Sequence, residues 1–211
     1  MKTIEKKMGS AGFDLSNIDC VLFVSQGTSN GHAFKDGKKF VVWIPIEGYE
    51  TKLQTLVFIT HEIVHGLHYS YSPDFYFKNV SEKLSVARQV ITEGLATYLS
   101  MKILSVNEGV ALWADYISKD KIKIWLQKCR QKEQELYNFV LKNFPSRSPK
   151  IELFYANDSK DIYQNRAGYF VGLQAIGQIC KDRKINAMDL LKIHRKKFEK
   201  IVIEQLQSKV E

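Results

Sequence analysis

Residues 59–70 read ITHEIVHGLHYS and hold three of the chain's five histidines. Apolar residues recur around them at helical spacing, from Leu53 to Leu67, which predicts a helix from Lys52 to about Tyr69. The three histidines would share one stripe of that helix, because successive residues turn by about 100°. Polar rings and a carboxylate inside an apolar helix need partners, and a metal ion is the most economical partner.

The spacing of the histidines decides which of them share a metal. His61 and His68 lie roughly 10 Å apart along a helix axis, at about 1.5 Å per residue, so one ion cannot bind both. The pair is therefore either His61 with His65, or His65 with His68. Glu62 favours the first pair, since its carboxylate can face a water beside a metal held there. We predict that His61 and His65 bind the metal and that Glu62 is the general base. His68 is interpreted as a polar residue outside the site.

A catalytic zinc usually has three protein ligands, so a third must come from elsewhere. The pattern HExxHxxGxxH fails, because the chain has His68 and Tyr71 where Gly and His are required. Glu93, in VITEGLATYLSMKI, is a carboxylate in an otherwise apolar or small-residue helix. Gly94 and Ala96 would let that helix approach the HExxH helix closely. The alternative is a Glu93 that points to solvent.

Taken together, these two motifs resemble those of a known group of enzymes. HEIVH followed on the next helix by EGLATY resembles the gluzincins, the thermolysin- and aminopeptidase-like zinc peptidases, whose third ligand is a Glu on that helix. More narrowly, the chain resembles a family of small predicted zinc-dependent proteases. That family has a Gly-containing hairpin before the HExxH helix and a late Gly-Tyr-x-x-Gly helix, here SNGHAF with KKFVVWIP and residues 168–172. The resemblance implies Zn²⁺ as the cofactor, Glu93 as the third ligand and peptide-bond hydrolysis.

The resemblance also implies a residue that stabilises the oxyanion. We expect Tyr169 in this role, because the flanking Gly168 and Gly172 permit close approach; a plain core aromatic is the alternative. Tyr163 is a second candidate, and Arg166 could bind a substrate carboxylate. The hairpin would take substrate backbone as an added strand. The chain lacks the GxMEN-type signature of the large aminopeptidases, which argues against amino-terminal trimming.

The composition of the chain limits which other functions are plausible. A net charge of +8 allows a nucleic-acid-binding module, but the basic residues are scattered except for HRKKFEK, residues 194–200. The three cysteines, Cys20, Cys129 and Cys180, form no CxxC pair, which favours a reducing compartment. No secretory leader or membrane-spanning run is evident. We therefore expect a cytoplasmic protein with a peptide or protein substrate and neither nucleic acid nor membrane as a partner. The rival hypothesis is a non-catalytic zinc- or peptide-binding protein on the same scaffold.

The layout predicts an α+β fold, with a small N-terminal sheet followed by a mostly helical, zincin-like body. We treat residues 1–211 as one domain, with a β part at about 19–46 and a helical part at about 52–208. The predicted strands are a run at 19–25 and the two arms of a hairpin at 32–46, whose turn is at Asp36-Gly37. The turn-rich QGTSNG lies between the run and the hairpin. The further predicted helices run from Asn79 to about Leu104, Ser105 to about Ile117, Lys121 to Phe144, Gly168 to Lys181 and Asn186 to about Gln207. Residues 151–166 are expected to form an irregular loop over the site.

Overall fold

The computed structural model describes residues 1–25 and 31–210. Its strands are β1 (Ile18–Phe23), β2 (His32–Asp36) and β3 (Lys39–Pro45). Its α-helices are α1 (Lys2–Ser10), α2 (Lys52–Tyr71), α3 (Val80–Lys83), α4 (Val86–Leu104), α5 (Glu108–Trp113), α6 (Lys119–Gln131), α7 (Glu133–Asn143), α8 (Ala167–Arg183), α9 (Ala187–Leu190) and α10 (Arg195–Gln207). The predicted α+β fold, with a small N-terminal sheet before a mostly helical body, is confirmed. The division into one domain stays a prediction.

The sheet has the order β1-β3-β2, with β1 parallel and β2 antiparallel to the central β3. The hairpin at Asp36-Gly37 is confirmed: Asp36 pairs with Lys39, and Gly37 supplies a φ of +57°. Residues 26–30, which include most of the turn predicted at QGTSNG, lie outside the described residues. Helix α2 packs directly on the sheet, because a Cβ at Gly66 would lie 3.2 Å from side-chain atoms of Ile18 and Val42.

Helix α2 begins where the sequence predicted. The Thr51 side chain caps it by accepting a hydrogen bond from the Gln54 amide, and Pro73 follows its last turn. Helix α4 packs against both α2 and α8. The helix that carries Glu93 therefore lies against the helix of the HExxH motif and against the helix of Tyr169.

Several predicted helix boundaries are wrong. Asn79 caps only the short α3, and Ser85 then caps α4 as a separate helix. Ser105 is not an N-cap: it ends α4 with a left-handed φ of 55°, and Asn107 caps α5, which ends at Trp113. In each case a second capping residue a few positions further along takes over the role assigned to the first.

Two other predicted helices, Lys121 to Phe144 and Asn186 to about Gln207, are each divided into two helices, and one helix was missed. Residues 121–144 form two helices, α6 and α7, that meet at Lys132, and Asn186 caps only α9, before α10 begins after His194. Helix α1 was not expected, since its buried face consists of Ile4 and Met8 alone in a lysine-rich segment. Two apolar residues one turn apart are a weak helical signal.

Candidate metal centre

Three polar atoms converge between α2 and α4. The Nε2 atoms of His61 and His65 lie 3.0 Å apart. Glu93 Oε2 lies 3.1 Å from Nε2 of His61 and 3.2 Å from Nε2 of His65. Both imidazoles are buried, and the Glu93 side chain is 16% exposed. We call these three residues the triad.

The triad follows from the packing of two helices. Residues four apart lie on one helix face, so the His61 and His65 rings stand next to each other, with centroids 4.7 Å apart and planes 82° apart. Helix α4 packs across this face and carries Glu93 to it. The alternative, a Glu93 that points to solvent, is not what the structure shows.

The triad fits a zinc ion. Ligands at about 2.0–2.1 Å from a tetrahedral zinc lie about 3.3 Å apart, close to the three separations seen here. Three lone-pair-bearing atoms this close repel one another unless a proton or a cation lies among them. Two imidazoles and a carboxylate are also a donor set that zinc accepts. Among the described residues the other ring nitrogen of His65, Nδ1, has no hydrogen-bond partner, whereas metal-binding histidines usually have one.

The electrostatics of Glu93 agree with a cation site. Burial alone raises its pKa, but His65 and the contacts with both imidazoles outweigh burial and hold the pKa well below its ordinary value. The carboxylate is thus ionised and available as a ligand.

Glu62 lies beside the triad. Ligand atoms of His61, Glu62 and His65 fall within 4.8 Å of one another, so a metal-binding group could be drawn with Glu62 in place of Glu93. We favour Glu93 as the ligand because its oxygen is within 3.2 Å of both imidazole nitrogens. Burial raises the pKa of Glu62 to about 7; the charge of His61 lowers it, and Glu93 adds to the rise.

Tyr169 adjoins the triad and Tyr163 does not. The Tyr169 ring lies 6.1 Å from the His61 ring, and burial and the nearby Glu93 raise its pKa. Gly168 does admit a close neighbour, but that neighbour is the Phe154 ring. The Tyr163 hydroxyl donates to Glu135 at 3.4 Å, on another part of the surface.

Arg166 borders the triad, whereas His68 lies in an aromatic environment away from it. The Arg166 guanidinium stacks on Tyr169, 4.2 Å from the ring centroid, and borders the site through that ring. His68 packs against Phe75, with centroids 4.4 Å apart, and both of its nitrogens are buried without a partner among the described residues. Burial, with a smaller contribution from His65, lowers the pKa of His68 to about 3.

A cavity of about 230 Å³ opens beside the triad, and several of its lining residues were missed by the sequence analysis. They are His32, Tyr69, Phe77, Lys83 and Arg88. Arg88 had a usable signal, because it is a lone charge in the apolar start of α4, the same feature that singled out Glu93. A larger cavity, of about 920 Å³, lies between α1, α4 and α8 and contains no predicted site residue.

A family described as "Predicted Zn-dependent protease (DUF2268)" matches residues 16–200. The chain belongs to this family. The match spans both motifs of the triad and the Tyr169 helix, and it confirms the resemblance to small predicted zinc-dependent proteases. Searches of the curated proteins and of the solved structures each returned no match. Among the described residues of this family member, no helix combines the length and apolar character that crossing a bilayer requires.

Proposed function

We propose that the protein is a zinc-dependent peptidase of the gluzincin type. In this proposal His61, His65 and Glu93 hold the zinc, and Glu62 is the general base. The observation that carries the proposal is the convergence of two imidazole nitrogens and one carboxylate oxygen within 3.2 Å of one another. Family membership supports the same reading at a coarser level.

Zinc bound at the triad would polarise a peptide carbonyl and make a nearby water more acidic. Glu62 would accept a proton from the attacking water and pass it to the leaving amine. In the metal-free protein, burial raises the pKa of Glu62 to about 7, so this carboxylate lies in surroundings that make it a stronger base than an exposed one. Gly31 leaves room for this side chain, because a Cβ there would lie 3.3 Å from Glu62 Cγ.

Tyr169 would stabilise the developing oxyanion. Its raised pKa keeps the hydroxyl protonated, so that it can donate a hydrogen bond. The guanidinium of Arg166 stacked on its ring restricts the orientation of that ring.

The outer edge of β2 would align the substrate backbone. The Lys35 amide donates to the Tyr76 hydroxyl at 3.4 Å rather than to β3, so it faces outward. In an antiparallel strand the amide and carbonyl groups of every second residue point to the same side. Those of Ala33 therefore face outward as Lys35 does, and Ala33 lines the cavity. A peptide added there would lie next to the triad.

The substrate class in this proposal is a peptide or a protein. The basic cluster 194–200, the feature most suggestive of nucleic acid, is partly neutralised: Arg195 Nε lies 2.7 Å from Glu199 Oε1, and Lys200 Nζ lies 4.0 Å from Glu204 Oε1. A reducing, cytoplasmic setting is also part of the proposal, supported by three free cysteines.

The test pairs metal content with hydrolysis. Wild-type protein should bind one zinc and cleave a quenched fluorescent peptide library, and Glu62→Gln should keep the zinc and lose at least about 100-fold in kcat, the size of a general-base contribution. Full hydrolysis by Glu62→Gln would refute the assigned base. Bound zinc without any cleavage by the wild type would favour the non-catalytic alternative.

A further inference from the structure

The cavity beside the triad is lined by both acidic and basic groups. Glu62, His65 and Glu93 belong to its lining. The basic side chains of Lys83 and Arg88 also line it, and both lie beside the Phe77 ring, which we take as the basic end of the cavity. Neither basic residue was assigned a role in hydrolysis. A substrate bound at the triad would have to lie in or beside this cavity.

Arg88 is a buried cation whose partners are all uncharged. It is 4% exposed; its Nε donates to the Phe75 carbonyl at 2.8 Å, and its Nη2 donates to the Tyr69 hydroxyl at 2.6 Å. Its guanidinium lies over the rings of Tyr69 and Phe77, at 5.6 and 4.9 Å from the centroids. No carboxylate in the described part of the chain lies within the 4.0 Å of an ion pair with it. Buried arginines are rarely left without a negative partner.

Lys83 adds a second positive charge at the same end. It is exposed at the last residue of α3, and its Nζ lies 5.8 Å from the Phe77 ring centroid. It forms no ion pair with any carboxylate of residues 1–25 or 31–210. His32 also lines the cavity; burial and then the charge of Lys83 lower its pKa, so it adds no third positive charge.

We propose that this end of the cavity binds a carboxylate of the peptide substrate, held by Lys83 and Arg88. The carboxylate would be either an Asp or Glu side chain near the scissile bond or the C-terminal carboxylate of a short peptide. The rigid fork of Arg88, fixed by Tyr69 and by the Phe75 carbonyl, suits such a group. This inference rests on the proposed peptidase function and specifies its substrate.

Three sets of quenched fluorescent peptides separate the two carboxylate sources. They share one neutral sequence. The first has Glu scanned through every position with an amidated C-terminus, the second has Gln in its place with a free C-terminus, and the third has Gln and an amidated C-terminus. Zinc-loaded full-length protein should cleave the first or the second set with at least about 10-fold higher kcat/KM than the third, as expected for a charge-assisted pair.

Two lysine variants test the assignment to the cavity. Lys83→Met should reduce the carboxylate preference several-fold, whereas Lys78→Met, which removes the same charge from an exposed residue outside the cavity, should retain it. Arg88→Lys should also reduce the preference for a carboxylate, but Arg88 is buried and its variant can misfold. The exposed Lys83 is therefore the residue whose variant tests the assignment. An equal loss in both lysine variants would overturn the assignment.

Binding without turnover separates this inference from the proposed function. Peptides of the three sets are titrated by fluorescence anisotropy into Glu62→Gln protein. Tighter, Lys83-dependent binding of a carboxylate peptide supports the inference even if the wild-type protein cleaves no peptide. Absence of cleavage by the wild type would count against the peptidase function alone. Efficient cleavage with equal kcat/KM and equal affinity across the three sets would overturn the inference and leave the peptidase function intact.

Discussion

Gly94 of α4 and Gly172 of α8 meet backbone to backbone. A Cβ on Gly94 would lie 2.5 Å from the carbonyl carbon of Gly172, and a Cβ on Gly172 would lie 2.5 Å from the Val90 carbonyl oxygen. The expectation that Gly94 admits the HExxH helix was therefore wrong, because it admits α8. The contact sits one residue from Glu93 and three from Tyr169, so two predicted site residues are positioned by one pair of glycines.

Gly94→Ala should destabilise the protein by about 1–3 kcal/mol, since a backbone neighbour cannot move aside as a side chain can. It should also weaken zinc binding by displacing Glu93. Urea unfolding and a zinc competition assay measure the two effects. Gly177→Ala is the matched control on α8, because its Cβ would meet only the Tyr98 side chain, at 3.2 Å. Equal stability of the two variants would contradict the close backbone contact.

The proposed role of Glu93 as the third zinc ligand should be visible in metal affinity. Glu93→Gln should weaken zinc binding by more than the 10–100-fold or so that loss of an outer hydrogen-bond partner costs, because it removes a ligand charge. Competition with a chromogenic chelator gives the affinity. His68→Gln should bind zinc like the wild type. A His68 variant that lost zinc as Glu93→Gln does would show that the metal site has been misassigned.

Tyr169→Phe should lower kcat by about 10–1,000-fold, as expected for the loss of one oxyanion donor, and leave zinc content unchanged. Tyr163→Phe provides the comparison, because that hydroxyl bonds to Glu135 instead. Steady-state kinetics on the best library peptide measure both. The reverse order of effects would transfer the role to Tyr163.

Gly31→Ala should impair catalysis more than stability. Gly31 has a φ of +91°, and an added Cβ would press on Glu62 Cγ at 3.3 Å. Gly37→Ala also places an alanine at a positive φ, of +57°, but with nothing within 4 Å of its Cβ. Gly31→Ala should unfold at a lower urea concentration than Gly37→Ala, because its Cβ would also meet the Trp43 carbonyl oxygen at 3.3 Å, and only Gly31→Ala should lower kcat. An equal kcat in both would argue against Gly31 as the residue that leaves room for Glu62.

The zinc-free protein should lose stability in acid because of His68. The unfolded chain gains a proton at this residue below pH 6.5, but the folded chain does so only near pH 3. The stabilisation is therefore complete above pH 6.5 and is lost as the pH falls towards 3, at up to about 1.4 kcal/mol per pH unit. His68→Leu should flatten this slope in urea unfolding between pH 4 and 6.5. Parallel slopes would show that His68 is not the group responsible.

The sequence predicted the triad better than its surroundings. Spacing along one helix was enough to select His61 and His65 over His68, and a lone charge among apolar residues was enough to find Glu93. The same signal at Arg88 was passed over because no motif contained it. The choice of Asn107 over Ser105 as the N-cap of α5 was not predictable, since either residue can begin a helix and tertiary packing decides between them.

Helix α10 has a consequence for biosynthesis. Phe198 packs near His68 and Phe75, at ring distances of 6.4 and 6.0 Å, and the Ser72 hydroxyl donates to the Leu191 carbonyl at 2.9 Å. A chain still on the ribosome lacks these supports until residues 191–198 have been translated. Helix α2, which carries His61 and His65, is made well before those residues. The His68 side of α2 is therefore left uncovered for a period after the helix itself has been made.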